Sequence, residues 1–151
     1  NMTAILANRG YYYTPHIIRN ISGENSIDSS FTTRKYCSIE KRYFKPIIDG
    51  MSDVVNGIEG TAKNCKITDY EICGKTGTAQ NPHGENHSIF IAFSPKENPK
   101  IAIAVYVENG GWGSTWAVPI ASLMIEKYLT KTITNTAQET FILNGDLIAK
   151  E

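Results

Sequence analysis

Tyr70-Glu71-Ile72-Cys73-Gly74-Lys75-Thr76-Gly77-Thr78-Ala79-Gln80 decides how the rest of the chain is read. Its Gly74-Lys75-Thr76 has the ending of a phosphate loop, but the glycine that such a loop requires five positions earlier is Asp69. A phosphate loop also hands directly into a helix, and Gly77 and Thr78 are poor helix formers. The nucleotide reading fails, and the stretch reads as a strand over residues 70–80, broken by Gly74 and Gly77. Two further strands follow. Residues 86–93 come after the turn cluster Asn81-Pro82-His83-Gly84, and residues 101–108 after Ser94-Pro95 and Asn98-Pro99. In the third, Ile101, Ile103, Val105 and Val107 take one face and Ala102, Ala104 and Tyr106 the other. Neither face is polar, which predicts a strand inside a sheet with layers on both sides. Connections this short favour antiparallel hairpins, because a parallel return needs a dozen residues or more.

Helices flank these strands. Met2, Ile5 and Leu6 recur at helical spacing and Gly10 suits the left-handed stop; a helix with no visible cap at Asn1 places the true start upstream. Tyr11 to Pro15 reads as extended, and residues 20–45 as a polar surface excursion docked through Tyr36 and Tyr43. Pro46 opens a helix whose stripe is Ile47, Met51, Val54, Val55 and Ile58, closed by Gly57 and Gly60. After the glycine-rich turn at 109–113, a helix capped near Ser114 or Thr115 carries Ile120, Ala121, Met124, Ile125 and Tyr128 on its apolar side. Asn144-Gly145 between residues 141–143 and 147–148 has the composition of a small hairpin turn. The expected class is α+β, an antiparallel sheet flanked by helices.

The chain has 151 residues, the size of one domain, and 41% of them are apolar, enough for a core. Fifteen basic residues balance fifteen acidic ones, so there is no electrostatic footprint for nucleic acid. No apolar stretch approaches the ~18 residues that span a bilayer, and no secretory leader precedes the pattern. Cys37, Cys65 and Cys73 are an odd number without a Cys-x-x-Cys pair, which indicates neither a zinc knuckle nor a complete disulfide framework.

Chemistry concentrates at Lys75-Thr76-Gly77-Thr78. An ammonium and two hydroxyls can hold a carboxylate, and a glycine without a Cβ lets a substrate backbone approach. A free strand edge can pair with a peptide, and its N–H groups can stabilise an oxyanion at an acyl carbon. The plainer alternative is a lysine and two threonines on an ordinary exposed strand. Elsewhere, His83-Gly84-Glu85-Asn86-His87 lacks the Glu beside the first His that a helical zinc motif needs, so these are read as loop histidines, His87 near the substrate edge or packed. Trp112, among glycines, is read as a docked loop residue, with a mobile aromatic lip as the alternative, and Cys73 as a packed thiol.

Lys75-Thr76-Gly77 is also one of the three signatures of penicillin-binding proteins and serine β-lactamases. The surroundings resemble a class B penicillin-binding protein over most of the chain. The likeness runs through residues 4–10, Gly60-Thr61-Ala62, residues 73–80, 87–95, 99–105 and 107–111, and the helix through residues 117–121. The glycine pair after Glu108-Asn109 points to the elongation type, penicillin-binding protein 2. The resemblance implies the C-terminal portion of a transpeptidase domain over residues 1–130, with 131–151 as a tail. It implies crosslinking of stem peptides ending in D-Ala-D-Ala through a serine acyl-enzyme, and acylation by β-lactams. It assigns Lys75 to electrostatic support, Thr76 and Thr78 to the substrate carboxylate, Gly77 to the recognition strand, and the Thr78 backbone N–H to the oxyanion hole. It implies neither cofactor nor metal, and a periplasmic position held by an inner-membrane anchor in an absent N-terminal part.

The chain departs from that pattern. Ser38-Ile39-Glu40-Lys41 fits Ser-x-x-Lys by spelling only, Ser52-Asp53-Val54 stops short of Ser-x-Asn, and neither motif precedes Lys75 where it should. The nucleophile is therefore expected on the missing N-terminal part, the fragment alone is expected to be inactive, and apolar surface hidden in the parent is expected to promote self-association. A noncatalytic module that senses β-lactams or binds peptides is the alternative.

Overall fold

The computed structural model describes residues 1–19, 22 and 27–147. In chain order the elements are α1 (Met2–Ala7), β1 (Tyr11–Tyr12), α2 (Ser29–Thr32), β2 (Lys35–Tyr36), α3 (Phe44–Asn56), β3 (Cys73–Ala79), β4 (His87–Ser94), β5 (Ile101–Val107), α4 (Ala117–Thr130) and α5 (Thr136–Leu143). β3, β4 and β5 form an antiparallel sheet in that order, and β1 and β2 form a separate two-stranded ribbon. The α+β expectation holds.

The pleat divides the core into two layers. Phe90 and Ala92 of β4 join Val55, Ala62, Cys65 and Ile72 against Ala117, Val118, Ala121 and Ile125, with Ile101, Ile103, Val105 and Val107 packed alongside. On the opposite face Cys73 and Phe93 meet Ala7 of α1 and Phe44, Ile48 and Met51 of α3. β4, paired on both sides and covered on both faces, is the strand with the near-continuous apolar run.

β5 differs from its expected place. Among the described residues it is an edge strand, paired only with β4, and Ala102, Ala104 and Tyr106 are exposed on one face. Two alanines carry little apolar area, so leaving that face partly bare costs little. β3 starts at Cys73 rather than Tyr70 and runs unbroken through both glycines. Gly74 is needed for close approach: a Cβ there would lie 2.3 Å from the Phe90 ring.

The helices shift relative to the sequence reading. α3 begins at Phe44, so Pro46 sits third, still within the first turn, where its missing N–H costs nothing. Its buried stripe is Phe44, Ile48, Met51 and Val55, while Ile47 and Ile58 are exposed. Tyr36 and Tyr43 are exposed, and Tyr36 docks only onto the ribbon, its ring 6.3 Å from that of Tyr11; Cys37 and Phe44 anchor the segment in the second core layer. α4 starts after Trp116, not at Ser114 or Thr115, because the buried Ser88 hydroxyl on β4 accepts the Ala117 N–H at 3.1 Å and does the work of a cap. α4 buries Val118, Ala121, Ser122 and Ile125; Met124 and Tyr128 face out. Where a hairpin was expected, Phe141 to Leu143 belong to α5, capped by Asn135, whose Oδ1 accepts the Gln138 N–H at 3.1 Å. Phe141 stacks on Trp116 at 5.1 Å, which ties α5 to the start of α4. Ile148, the hairpin's far side, lies outside the described residues.

Candidate active site

β3 leaves the core as it advances. Cys73 and Gly74 are buried, Lys75 and Thr78 are exposed, and Thr76 and Gly77 lie between. Since β3 pairs only with β4, its other edge carries no strand among the described residues. A groove of about 310 Å³ runs beside Thr76, Gly77 and Thr78, bounded by Thr61 on one side and by Trp112, Gly113 and Ser114 on the other. The Thr61 and Thr76 hydroxyls are 3.1 Å apart, and the Gly113 N–H donates to Thr78 Oγ1 at 3.4 Å. Gly113 lies flat on β3: a Cβ there would be 2.5 Å from the Gly77 carbonyl oxygen and 2.8 Å from that of Ile89.

The alternation of side chains separates the four signature residues. Thr76 and Thr78 share the face of the groove wall, and Lys75 and Gly77 point to the other face in register with Ile91 and Ile89. Lys75 is not part of the groove lining; its ammonium donates to the Thr76 carbonyl at 3.0 Å. The groove therefore offers hydroxyls and bare backbone, with a cation available from the opposite side of the same edge.

The remaining candidates fall elsewhere. Ser38 occupies an exposed bend rather than a helix, so Ser38 and Lys41 do not share a helical face. Residues 81–86 form the β3–β4 turn, and no group of three or more His, Cys, Asp or Glu side chains suited to a metal exists among the described residues. Burial pushes the Cys73 and Cys65 thiols up to about 12, which leaves both as protonated packing groups. Trp112 takes the lip position of the alternative reading: it is 71% exposed at the edge of the groove. Thr61 and Gly113 are the lining residues that sequence reasoning did not single out. Their only signals were a Gly-Thr-Ala triplet far upstream and one glycine in a glycine-rich turn.

A model of the penicillin-binding protein transpeptidase domain matches residues 1–126. This chain belongs to that transpeptidase family. Its relatives place it with the class B penicillin-binding protein 2 group. The chain is similar to the peptidoglycan D,D-transpeptidase MrdA of Haemophilus influenzae, 31% identical, covering 87% of this chain and 23% of that one. It is 32% identical to PbpA of Mycobacterium tuberculosis, covering 85% of this chain and 28% of the relative. Pseudomonas aeruginosa PBP2, solved in complex with WCK 5153, superposes with a TM-score of 0.72 at 33% identity, covering 89% of this chain and 30% of that one. The ceftriaxone acyl-enzyme of M. tuberculosis penicillin-binding protein A gives a TM-score of 0.70 at 28% identity, covering 85% and 31%. This transpeptidase-family chain thus spans about a quarter of the length of its curated relatives. No helix among its described residues is long and apolar enough to cross a membrane.

Proposed function

We propose that residues 1–130 are the C-terminal portion of a peptidoglycan D,D-transpeptidase domain, with β3 as the docking strand for the acyl donor. The observation that carries this is the open edge of β3, bearing Lys75-Thr76-Gly77-Thr78 beside a groove lined by hydroxyls. A stem peptide laid along that edge adds a strand through main-chain hydrogen bonds. Its terminal carboxylate is held by the Thr76 and Thr78 hydroxyls, with the Lys75 ammonium supplying positive potential from the other face.

A serine from a segment outside residues 1–151 attacks the D-Ala-D-Ala carbonyl. The oxygen of the tetrahedral adduct takes the negative charge, which the Thr78 backbone N–H helps to hold. The C–N bond then breaks, terminal D-alanine leaves with the proton, and an acyl-enzyme ester remains. An amine of a neighbouring stem attacks that ester and restores the serine hydroxyl. A β-lactam follows the first half of this course through ring opening. No cofactor or metal enters the chemistry. In the cell the portion faces the periplasm, anchored through the protein's N-terminal part. The partly bare β5 face supports association between copies when residues 1–151 stand alone.

Fluorescent penicillin tests this reading. The full-length protein is expected to form a stable adduct and Lys75→Ala to lose labelling by roughly 100-fold, while residues 1–151 alone take up none. An adduct on Ser38 would overturn the placement of the nucleophile. A full-length protein that binds penicillin reversibly and is never acylated would instead be a sensor.

A further inference from the structure

The loop that walls the groove is itself held by the β3–β4 turn at the same end of the sheet. Asn109 has the left-handed φ of +53°, and its backbone N–H donates to Nδ1 of His87 at 3.1 Å. Nδ1 therefore accepts, and in the neutral ring the proton sits on Nε2. Asn109 Oδ1 accepts from Asn81 Nδ2 at 2.8 Å, and the Gly111 N–H donates to the Asn86 carbonyl at 2.7 Å. Two bonds thus tie residues 109–111 to the β3–β4 turn and a third ties them to the first residue of β4. Immediately downstream, the Ser88 hydroxyl donates to the Trp112 carbonyl at 2.9 Å, and Gly113 seats on Gly77. The Trp112 backbone is fixed from both ends while its indole stays exposed over the groove.

We infer that His87 is a positioning residue for the groove: its Nδ1 fixes the left-handed turn at Asn109, which sets where Trp112 and Gly113 stand against β3. The inference rests on the transpeptidase reading only for what the groove binds. Asparagine adopts the left-handed region readily, and the turn's own closing bond, Gly110 N–H to the Val107 carbonyl, is long at 3.3 Å, so the tethers of Asn109 to other elements decide how firmly the turn is seated. Of its two tethers, the one to His87 holds the backbone itself. The other contact of His87 is its ring against Tyr106, at 5.3 Å between centroids, which is a packing contact and needs no acceptor.

That division of labour supplies the test in the full-length protein. His87→Phe keeps a ring against Tyr106 and removes the acceptor; His87→Asn places an amide oxygen where Nδ1 stands and restores it. Hydrogen exchange over residues 109–113 is expected to quicken about fivefold in His87→Phe, the worth of one net hydrogen bond, and to return to wild-type values in His87→Asn. In penicillin acylation, His87→Phe weakens the encounter complex about fivefold with the rate constant of the bound state unchanged, and His87→Asn recovers it. Equal exchange in wild type and His87→Phe overturns the inference, as does faster exchange that His87→Asn fails to reverse. Faster exchange with an unaltered encounter complex also overturns it, reducing the latch to fold maintenance. A wild type that takes no penicillin would sink the transpeptidase reading instead, and the exchange comparison would still decide whether His87 sets the wall.

Discussion

The two ends of β3 are built on opposite terms. At Cys73 and Gly74 the strand is buried, with Phe90 filling the space over Gly74 and with Asn56 Nδ2 donating to the Ile72 carbonyl at 3.0 Å. Beneath that end lies an ionic cluster: Lys96 reaches Asp49 at 3.1 Å and Glu71 at 3.3 Å, and Ser52 donates to Glu71. At Thr76 to Thr78 the strand has an open edge, two exposed or half-exposed hydroxyls and a wall of one loop. A strand that must offer one edge of its backbone to a substrate can be held by a strand on the opposite edge alone, and β4 pairs with β3 through to Ala79. Further anchoring is displaced to the buried end, and the free edge of the open end keeps its shape through close backbone contact and single hydrogen bonds.

That contrast is most directly broken at the anchored end. Phe90→Ala removes a fully buried ring that touches both β3 and the main core layer, and should cost about 3–5 kcal/mol of unfolding free energy in denaturant titration. A loss below ~1 kcal/mol would mean that the site can collapse, and that Phe90 does not anchor the strand. At the open end, Gly113→Ala forces a methyl into the Gly77 and Ile89 carbonyls, so the loop must lift. The expected cost is smaller, about 1–3 kcal/mol, but penicillin labelling of the full-length protein should fall more than for Phe90→Ala compared under conditions where both are folded. Equal labelling losses in the two variants would erase the proposed division between anchor and wall.

The sequence made the sheet legible for a local reason. Strand periodicity, turn clusters and short connections are encoded within a few residues, and all three strands appear with ends near those expected. What it hid was long-range. That β5 is an edge could not follow from an apolar run, since alanines fit a bare face as well as a covered one. Ser88 as the cap of α4 comes from a strand twenty-nine residues earlier, and no local motif announces it. The stripe of α3 slipped by one position because Ile47 and Ile48 are chemically equivalent and only packing chooses between them. At the site, Lys75 to Thr78 were legible as a motif, yet their alternation sets the lysine and the threonines on opposite faces. Trp112 and Gly113 became wall residues only through the fold of a loop whose glycines leave its path unspecified.

The smallest effect belongs to the ionic cluster, and pH isolates it. The Ser52 hydroxyl, and after it the Lys96 ammonium, hold the Glu71 carboxyl below its ordinary value. A folded value below the unfolded one means that the contribution is present above the unfolded value and is lost as pH falls through the folded one. Ser52→Ala removes the largest cause. Since Glu71 is 47% exposed, solvent screening keeps the cost at neutral pH to less than about 1 kcal/mol. The Asn56 amide keeps its bonds to the Ser52 and Ile72 carbonyls in the variant, so the anchor of β3 is otherwise intact. Denaturation at pH 7 should separate wild type from Ser52→Ala, and the gap should close as the pH drops below the ordinary carboxylate range. A gap that persists unchanged in acid would assign the loss to packing of Ser52, and the buried end of β3 would then stand on its apolar contacts, its pairing with β4 and the Asn56 amide, without the ionic cluster.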